Sequence, residues 1–184
     1  MRPLVFIDVE TTGLVHDFHE IIEIAAVTVD PDTLEVESVW SRKIKPLRIE
    51  DAAPRAIEKN GYTPEAWEEA VDLADALTEL TPILRGALVA GHNVGFDARF
   101  LLTAYQTFGW LCPMGIGSYH KLDTVSVAWM LQAVGRVSSL SLESVCAELG
   151  ISGAGSHSAL PDALCSLEIA RWARGALAQE ANAA

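Results

Sequence analysis

Apolar residues in the first quarter of the chain form three runs with the short period of β-strands. The runs cover residues 4–10, 20–30 and 36–44 and are rich in β-branched side chains. A Thr-Thr-Gly sequence follows the first run, and Pro31-Asp32 follows the second, where a tight turn favours both residue types. The pattern therefore predicts three strands in an antiparallel meander.

From about residue 52 the apolar positions change to the longer period of helices. Leu73, Leu77, Leu80 and Leu84 form the apolar stripe of an amphipathic helix within a helical region that extends to about residue 86. A short apolar run at 87–92 is bounded by glycine and predicts a buried parallel strand. The remaining predictions are helices at 96–108, 125–134, 141–149 and 159–179, a loop at 109–119, a strand at 121–125 and a frayed Ala-rich end from Ala176.

A meander followed by strands that alternate with helices indicates an α/β fold. We expect a mixed five-stranded sheet, a three-stranded antiparallel meander plus two parallel strands, flanked by helices. The 184 residues suit one domain, which we place at residues 1–178 with a short Ala-rich tail at 179–184. Half of the residues are apolar and 21% are charged, which is typical of a globular protein.

Composition also limits the function classes. A net charge of −12 argues against a broad, sequence-independent grip on duplex nucleic acid, although a short single strand can still be bound locally. No apolar stretch approaches the roughly 20 residues needed to span a membrane, and the N-terminus lacks a secretion signal pattern. Three widely spaced cysteines indicate neither a zinc site nor a disulfide framework. We therefore expect a cytoplasmic protein with no membrane partner.

The first predicted strand ends in two acids, Asp8 and Glu10, in an otherwise apolar run. Side chains on a strand alternate between faces, so both carboxylates point to the same side. Two like charges on a core strand repel each other and are costly to desolvate, and a divalent cation compensates both effects. The alternative is an edge strand with solvated acids, which the apolar neighbours disfavour.

Two later segments carry further candidates. Asp97 falls in the first turn of the helix after the buried strand at 87–92, where ligands gather in open α/β sheets. Taken alone, Asp97 is better explained as a charge that complements the helix dipole. His157 lies on a Gly-rich loop and Asp162 in the first turn of the following helix, which suits proton transfer, although a lone loop histidine is more often simply solvated.

Together the four acids and one histidine make a more specific pattern than any of them alone. Oxygen ligands favour hard cations such as Mg²⁺ or Mn²⁺, and several carboxylates without a cysteine cluster point to a two-metal phosphoryl site.

Three motifs resemble those of the DnaQ-like (DEDDh) 3′–5′ exonucleases, a family of the ribonuclease H-like superfamily. The matching segments are Asp8-x-Glu10-Thr-x-Gly, His92-Asn93-x-x-Phe96-Asp97 and His157-x4-Asp162. They occur in the family's order and cover nearly the whole chain. The resemblance implies a ribonuclease H-like fold and stepwise release of nucleoside 5′-monophosphates from a 3′ end.

The resemblance also implies roles for the five residues. Asp8 would bridge two divalent cations, Glu10 and Asp162 would complete the first metal site, and Asp97 would support the second. His157 would be the general base, and we expect an alkaline-side activity optimum because that role needs a neutral imidazole.

The substrate-binding residues implied by the resemblance are Thr11, Gly13, Leu14 and Phe96. The backbone after Glu10, with Thr11, would hold the terminal 3′ hydroxyl, and Leu14 would wedge against the terminal base. Phe96 matches the aromatic beside the second base, although a core role explains it equally.

The expected partner is a single-stranded 3′ end of DNA or RNA, and the sequence does not decide between the two. No sequence feature specifies a protein partner or a homodimer. The absence of the long C-terminal extension of a proofreading subunit favours a stand-alone nuclease or a recruited module. The alternatives are a non-catalytic nucleic-acid-binding or adaptor module on the same fold, and a phosphodiesterase for dinucleotides or short oligonucleotides.

Overall fold

The five predicted strands are all present in the computed structural model. It describes residues 2–155 and 157–183, except the side chains of residues 114, 182 and 183. The strands are Leu4–Thr11 (β1), Ile21–Val29 (β2), Val36–Lys43 (β3), Leu88–Gly91 (β4) and Lys121–Asp123 (β5).

The strands form one mixed sheet in the order β3-β2-β1-β4-β5. β1 pairs antiparallel with β2 and β2 antiparallel with β3, whereas β1 with β4 and β4 with β5 are parallel. The predicted fold class is confirmed. β1 is the central strand, and its carboxyl end lies at the same edge of the sheet as that of β4.

Helices follow the strands mostly where the pattern predicts them. They are Pro54–Asn60 (α1), Leu73–Leu84 (α2), Val94–Thr107 (α3), Met114–Gly117 (α4), Thr124–Ala133 (α5), Leu142–Leu149 (α6) and Ala159–Ala183 (α7).

Three details differ from the predictions. The predicted helical region before α2 contains turns at residues 61–70, and the predicted loop at 109–119 contains the one-turn helix α4. α7 continues to Ala183, where a frayed end was predicted from Ala176. Alanine has the highest helix propensity, so the Ala-rich segment extends the helix even with Gly175 inside it.

The alternation along β1 separates two cores. Val5, Ile7 and Val9 pack with residues of α2 and α3 on one face of the sheet. Leu4 and Phe6 pack on the other face, against α7. The even-numbered positions of β1 therefore point toward α7, and this direction decides where the acids at the end of the strand lie.

A smaller apolar cluster joins α5, α6 and α7 beside the sheet. It includes the buried thiols Cys146 and Cys165, which form no disulfide, as the cysteine spacing predicts. Within the described part of the chain, no helix is both long and apolar enough to cross a membrane.

Candidate active site

Asp8 and Glu10 extend the α7-facing row of β1 beyond its apolar part. Leu4 and Phe6 occupy the same row and pack against α7, so the two acids follow them toward the carboxyl end of the strand. A β-irregularity after Glu10 ends the regular pairing with β2. The sequence predicted this shared face.

The first turn of α7 brings Asp162 to these two acids. Ala159, Ala163 and Leu167 of α7 are fully buried against the sheet and fix the position of the helix. One carboxylate oxygen each of Asp8, Glu10 and Asp162 lies within 4.8 Å of the other two. Residues that are more than 150 positions apart in the chain therefore form one compact oxygen cluster.

Asp97 reaches the same place from the first turn of α3. Its Oδ1 accepts a hydrogen bond of 2.9 Å from the Val9 backbone N–H, between the two acids of β1. The side chain is 3% exposed and lines the cavity that Asp8, Glu10 and Asp162 also line. Asp97 thus stands beside the three-acid cluster without belonging to it, and its bond to β1 serves a structural role as well.

Burial and mutual repulsion make these carboxylates difficult to ionise. Burial raises the pKa of Asp8 well above its ordinary value, and the charges of Asp97 and Asp162 raise it further. Burial also raises the pKa of Glu10 to about 7 and that of Asp97 to about 7. The proximity of four acids therefore favours a positive ligand that would compensate their charge.

The acids fit a hard divalent cation. Among the described residues, Asp162 Oδ1 is a buried oxygen without a hydrogen-bond donor, which is costly unless another positive or polar group faces it. Carboxylate oxygens are the ligands that Mg²⁺ and Mn²⁺ prefer, and the three clustered oxygens are close enough to share one ion.

His157 lies just before α7, in a left-handed backbone conformation with φ of 48°. This conformation is uncommon for a residue other than glycine. Burial raises the pKa of Asp162, and His157 has the largest of the effects that lower it. The imidazole is therefore close enough to Asp162 to affect its charge. Ser156 lies outside the described residues.

The turn after β1 forms one wall of the cavity, which has a volume of about 740 Å³. Thr11 Oγ1 donates a hydrogen bond of 2.7 Å to the Gly13 carbonyl, so the two residues fix the turn. A Cβ on Gly13 would collide with the His19 ring, which explains the glycine. Leu14 lines the cavity with its side chain 81% exposed, an apolar group at the rim of a polar site.

Phe96, His92 and Asn93 also line the cavity. The Phe96 ring packs on Phe100 with 4.8 Å between centroids, so it faces both the core and the cavity. His92 contacts Thr124 Oγ1 through Nδ1 and the Leu140 carbonyl oxygen through Nε2. These contacts hold the turn before α3, in which Asn93 has φ of 61°.

Glu23 is a buried acid of the site that the sequence reasoning missed. It is 7% exposed and lies directly opposite Glu10 in the β1–β2 register. Ser158 Oγ donates to both Glu23 carboxylate oxygens, at 3.0 and 3.2 Å. An acid in the apolar run of β2 is the same signal that singled out Asp8, so the sequence did contain it.

Two cations on α1 were also missed. Arg55 and Lys59 line the cavity, and Lys59 lowers the pKa of both Glu10 and Asp162 against the effect of burial. The amino-acid sequence does not predict that these two residues line the cavity, because their position depends on where α1 packs.

A mixed sheet in this strand order, with acids at the carboxyl end of its central strand, matches the exonuclease fold of the ribonuclease H-like superfamily. The family model described as "Exonuclease" (RNase_T) matches residues 5–170. The chain belongs to this exonuclease family, and its resemblance to the DnaQ-like exonucleases is confirmed.

Two relatives illustrate the range of the family. The chain is 32% identical over 168 residues to the PolC-type DNA polymerase III of Thermotoga petrophila, covering 90% of this chain and 11% of the polymerase. It is 27% identical over 189 residues to ribonuclease T of Pectobacterium atrosepticum, covering 92% of this chain and 82% of that protein. The chain thus spans about a tenth of the polymerase and most of the ribonuclease.

A solved structure supports the fold. Exonuclease I of E. coli in complex with a dT13 oligonucleotide superposes with a TM-score of 0.80 at 19% identity. The match covers 94% of this chain and 41% of that one. At this identity the likeness supports the fold and not the substrate.

Proposed function

We propose that this protein is a metal-dependent 3′–5′ exonuclease that hydrolyses the terminal phosphodiester bond of single-stranded DNA or RNA and releases nucleoside 5′-monophosphates. The observation that carries the proposal is the cluster of Asp8, Glu10 and Asp162 oxygens within 4.8 Å of one another in an open cavity. Membership of the exonuclease family supports the reaction class.

Asp8, Glu10, Asp97 and Asp162 would hold two divalent cations, Mg²⁺ or Mn²⁺. When bound, such cations stabilise the negative charge that develops on the phosphoryl oxygens and the leaving oxygen. The acids themselves would determine where the cations bind. The hydrogen bond from the Val9 N–H fixes the position from which Asp97 would contribute.

His157 would accept the proton of the attacking water. His157 lowers the pKa of Asp162, so the two side chains are close enough to interact. Its position on the loop before α7 allows it to approach a bound substrate.

The terminal nucleotide would lie in the cavity. The backbone after Glu10, with Thr11 and Gly13, would hold the 3′ end, and Leu14 would cover the apolar face of the terminal base. Phe96, which also lines the cavity, would contact the next base. Leu14 is an exposed apolar residue, which supports a contact that forms when substrate binds.

The test uses 5′-labelled dT10 and rU10 with Mg²⁺ or Mn²⁺, analysed on sequencing gels. We expect a ladder that shortens one nucleotide at a time, release of nucleoside 5′-monophosphates, and no products with EDTA. Asp8→Asn should abolish the ladder. Glu37→Gln, an exposed acid on the edge strand β3, is the matched control and should leave it unchanged. An intact substrate with the wild-type protein under both metals would overturn the proposal.

A further inference from the structure

The cavity is strongly acidic, whereas the proposed substrate is itself negatively charged. The protein carries a net charge of −12, and four carboxylates line the cavity together. The acids of the cavity repel an approaching polynucleotide unless positively charged groups lie close to it. Bound metal ions offset the acids, but the phosphates beyond the terminal bond still need a partner.

α1 supplies positive charge on the same cavity. Arg55 and Lys59 are four residues apart in α1, so they share one face of the helix. Both are exposed and line the cavity beside Ala56 and Asn60. Among the cavity-lining residues that the structure describes, they are the permanently charged cations.

The position of α1 is fixed by the turn that follows β1. The Ala53 backbone N–H donates to the Thr12 carbonyl at 2.8 Å, and Asn60 Nδ2 donates to the Thr11 carbonyl at 3.1 Å. Both ends of the short helix are thus attached to the segment that would hold the terminal nucleotide. The two cations are therefore held at a set distance from the 3′ end.

These cations are available to a ligand. Within residues 2–155 and 157–183, neither Arg55 nor Lys59 makes a hydrogen bond or an ion pair through its side chain. Several other arginines are engaged, as Arg42 is with Glu79 and Arg171 with Glu168. Lys59 is also close enough to Glu10 and Asp162 to affect both carboxylates.

We propose that Arg55 and Lys59 form a phosphate-binding face on α1 that holds the backbone of a single-stranded polynucleotide while its 3′ end occupies the acidic site. The inference rests on the proposed function and adds to it a preference for polymers over mononucleotide esters. Phosphate oxygens are common to DNA and RNA, so the face binds both and leaves the choice between them to other contacts.

Binding is measured first, separately from catalysis. Fluorescein-labelled dT10 and rU10 are titrated with the protein in Ca²⁺ instead of Mg²⁺, and anisotropy is followed from 50 to 300 mM salt. We expect the Kd to rise roughly threefold in Arg55→Ala or Lys59→Ala and roughly tenfold in the double variant. The slope of log Kd against log salt should fall by roughly 0.7 for each lost phosphate contact.

Catalysis is then compared on two substrates. With dT10 in Mn²⁺ Arg55→Ala should show a higher KM and a kcat within about twofold of wild type. With the p-nitrophenyl ester of a nucleoside 5′-monophosphate, which has no polynucleotide backbone, both constants of Arg55→Ala should match wild type. Arg85→Ala is the matched control, because Arg85 is an exposed cation before β4, at the end of the sheet opposite to the site.

An unchanged Kd and salt slope in the double variant would overturn the phosphate-binding face. A loss of metal affinity without a change in oligonucleotide binding would also overturn it, because Lys59 would then serve only to compensate the acids. A loss of kcat in Arg55→Ala that is as large on the p-nitrophenyl ester as on dT10 would do the same. Inactivity of the wild-type protein on every substrate would instead reject the exonuclease activity, and the Ca²⁺ titrations would still test the face.

Discussion

Ser158 Oγ donates a hydrogen bond to the carboxylate of Glu23, at 3.0 Å to Oε1, across 135 residues of sequence. Ser158 stands between His157 and the start of α7, and Glu23 stands opposite Glu10 on the neighbouring strand. The bond therefore ties the amino end of α7 to the sheet at the level of the acidic cluster. It sets the position of Asp162, four residues further along.

We expect Glu23→Ala to lower the kcat of oligonucleotide hydrolysis about ten- to a hundredfold and to raise the Mn²⁺ concentration for half-maximal rate. Without its acceptor, the Ser158 hydroxyl no longer fixes the start of α7, so Asp162 loses its alignment. Glu23→Gln keeps an acceptor oxygen and should restore most of the rate. The measurement is kcat and KM at several Mn²⁺ concentrations, and equal rates for the alanine and glutamine variants would contradict the positioning role.

The metal-free protein should lose stability as the pH rises from 5 to 8. The folded-state pKa of Glu10 is raised from 4.5 to about 7, and that of Asp97 from 3.8 to about 7. The folded state therefore binds more protons than the unfolded state in this range, and the free energy of unfolding falls with increasing pH. The limiting slope is about 1.4 kcal/mol per pH unit for each proton.

Thermal melts in EDTA at pH 5, 6, 7 and 8 test this prediction. Added Mn²⁺ should raise the Tm far more at pH 8 than at pH 5, because protons and metal compete for the same oxygens. Glu10→Gln removes one titrating group and should flatten the metal-free profile. A Tm that rises with pH in EDTA would contradict the raised carboxylate pKa values.

His157→Asn should lower kcat by a factor of about 10² to 10⁴, while Mn²⁺ binding measured by calorimetry stays close to wild type. The side chain acts on the proton of the attacking water in the proposed reaction and is not a proposed metal ligand. The rate of the wild-type protein should increase from pH 6 to pH 8, and the variant should lose the part of this increase that imidazole contributes. Activity of the wild-type protein that is constant from pH 5 to 9 would exclude the general-base role.

Leu14→Ala should raise the KM for dT10 roughly fivefold, because the apolar contact with the terminal base is worth about 1 kcal/mol. The Tm should stay unchanged, since the side chain is 81% exposed in the free protein. Leu111→Ala is the control, because Leu111 is 96% exposed and is not among the residues that line the cavity. Identical KM values for the two variants would show that Leu14 does not touch the substrate.

Local patterns were sufficient to predict the sheet and the shared face of the acids. Period-two alternation along β1 fixed the direction of Asp8 and Glu10, and the strand-helix order implied a mixed sheet. The residues on α3 and α7 were found through spaced motifs, and their meeting at one cavity depended on the fold. The roles assigned to His157, Thr11 and Phe96 remain predictions.

The parts that were not predicted depend on tertiary placement or on competing local preferences. The position of Lys59 follows from the way α1 attaches to the turn after β1, which no local pattern encodes. Glu23 carried a usable signal, a lone acid in an apolar strand, but its partner Ser158 lies far away in sequence. The frayed end was predicted from composition, whereas alanine propensity continues α7 to Ala183.

The packing of α7 against the sheet has an evolutionary consequence. Phe6 and Leu167 belong to the core between α7 and the sheet, while Asp162 and Asp8 extend the same two elements into the cavity. A substitution in that core displaces the helix, so it alters the spacing of the Asp8, Glu10 and Asp162 oxygens without changing any of these residues. If these oxygens bind metal as proposed, natural variation within this apolar layer adjusts metal preference and turnover while the three acids stay constant.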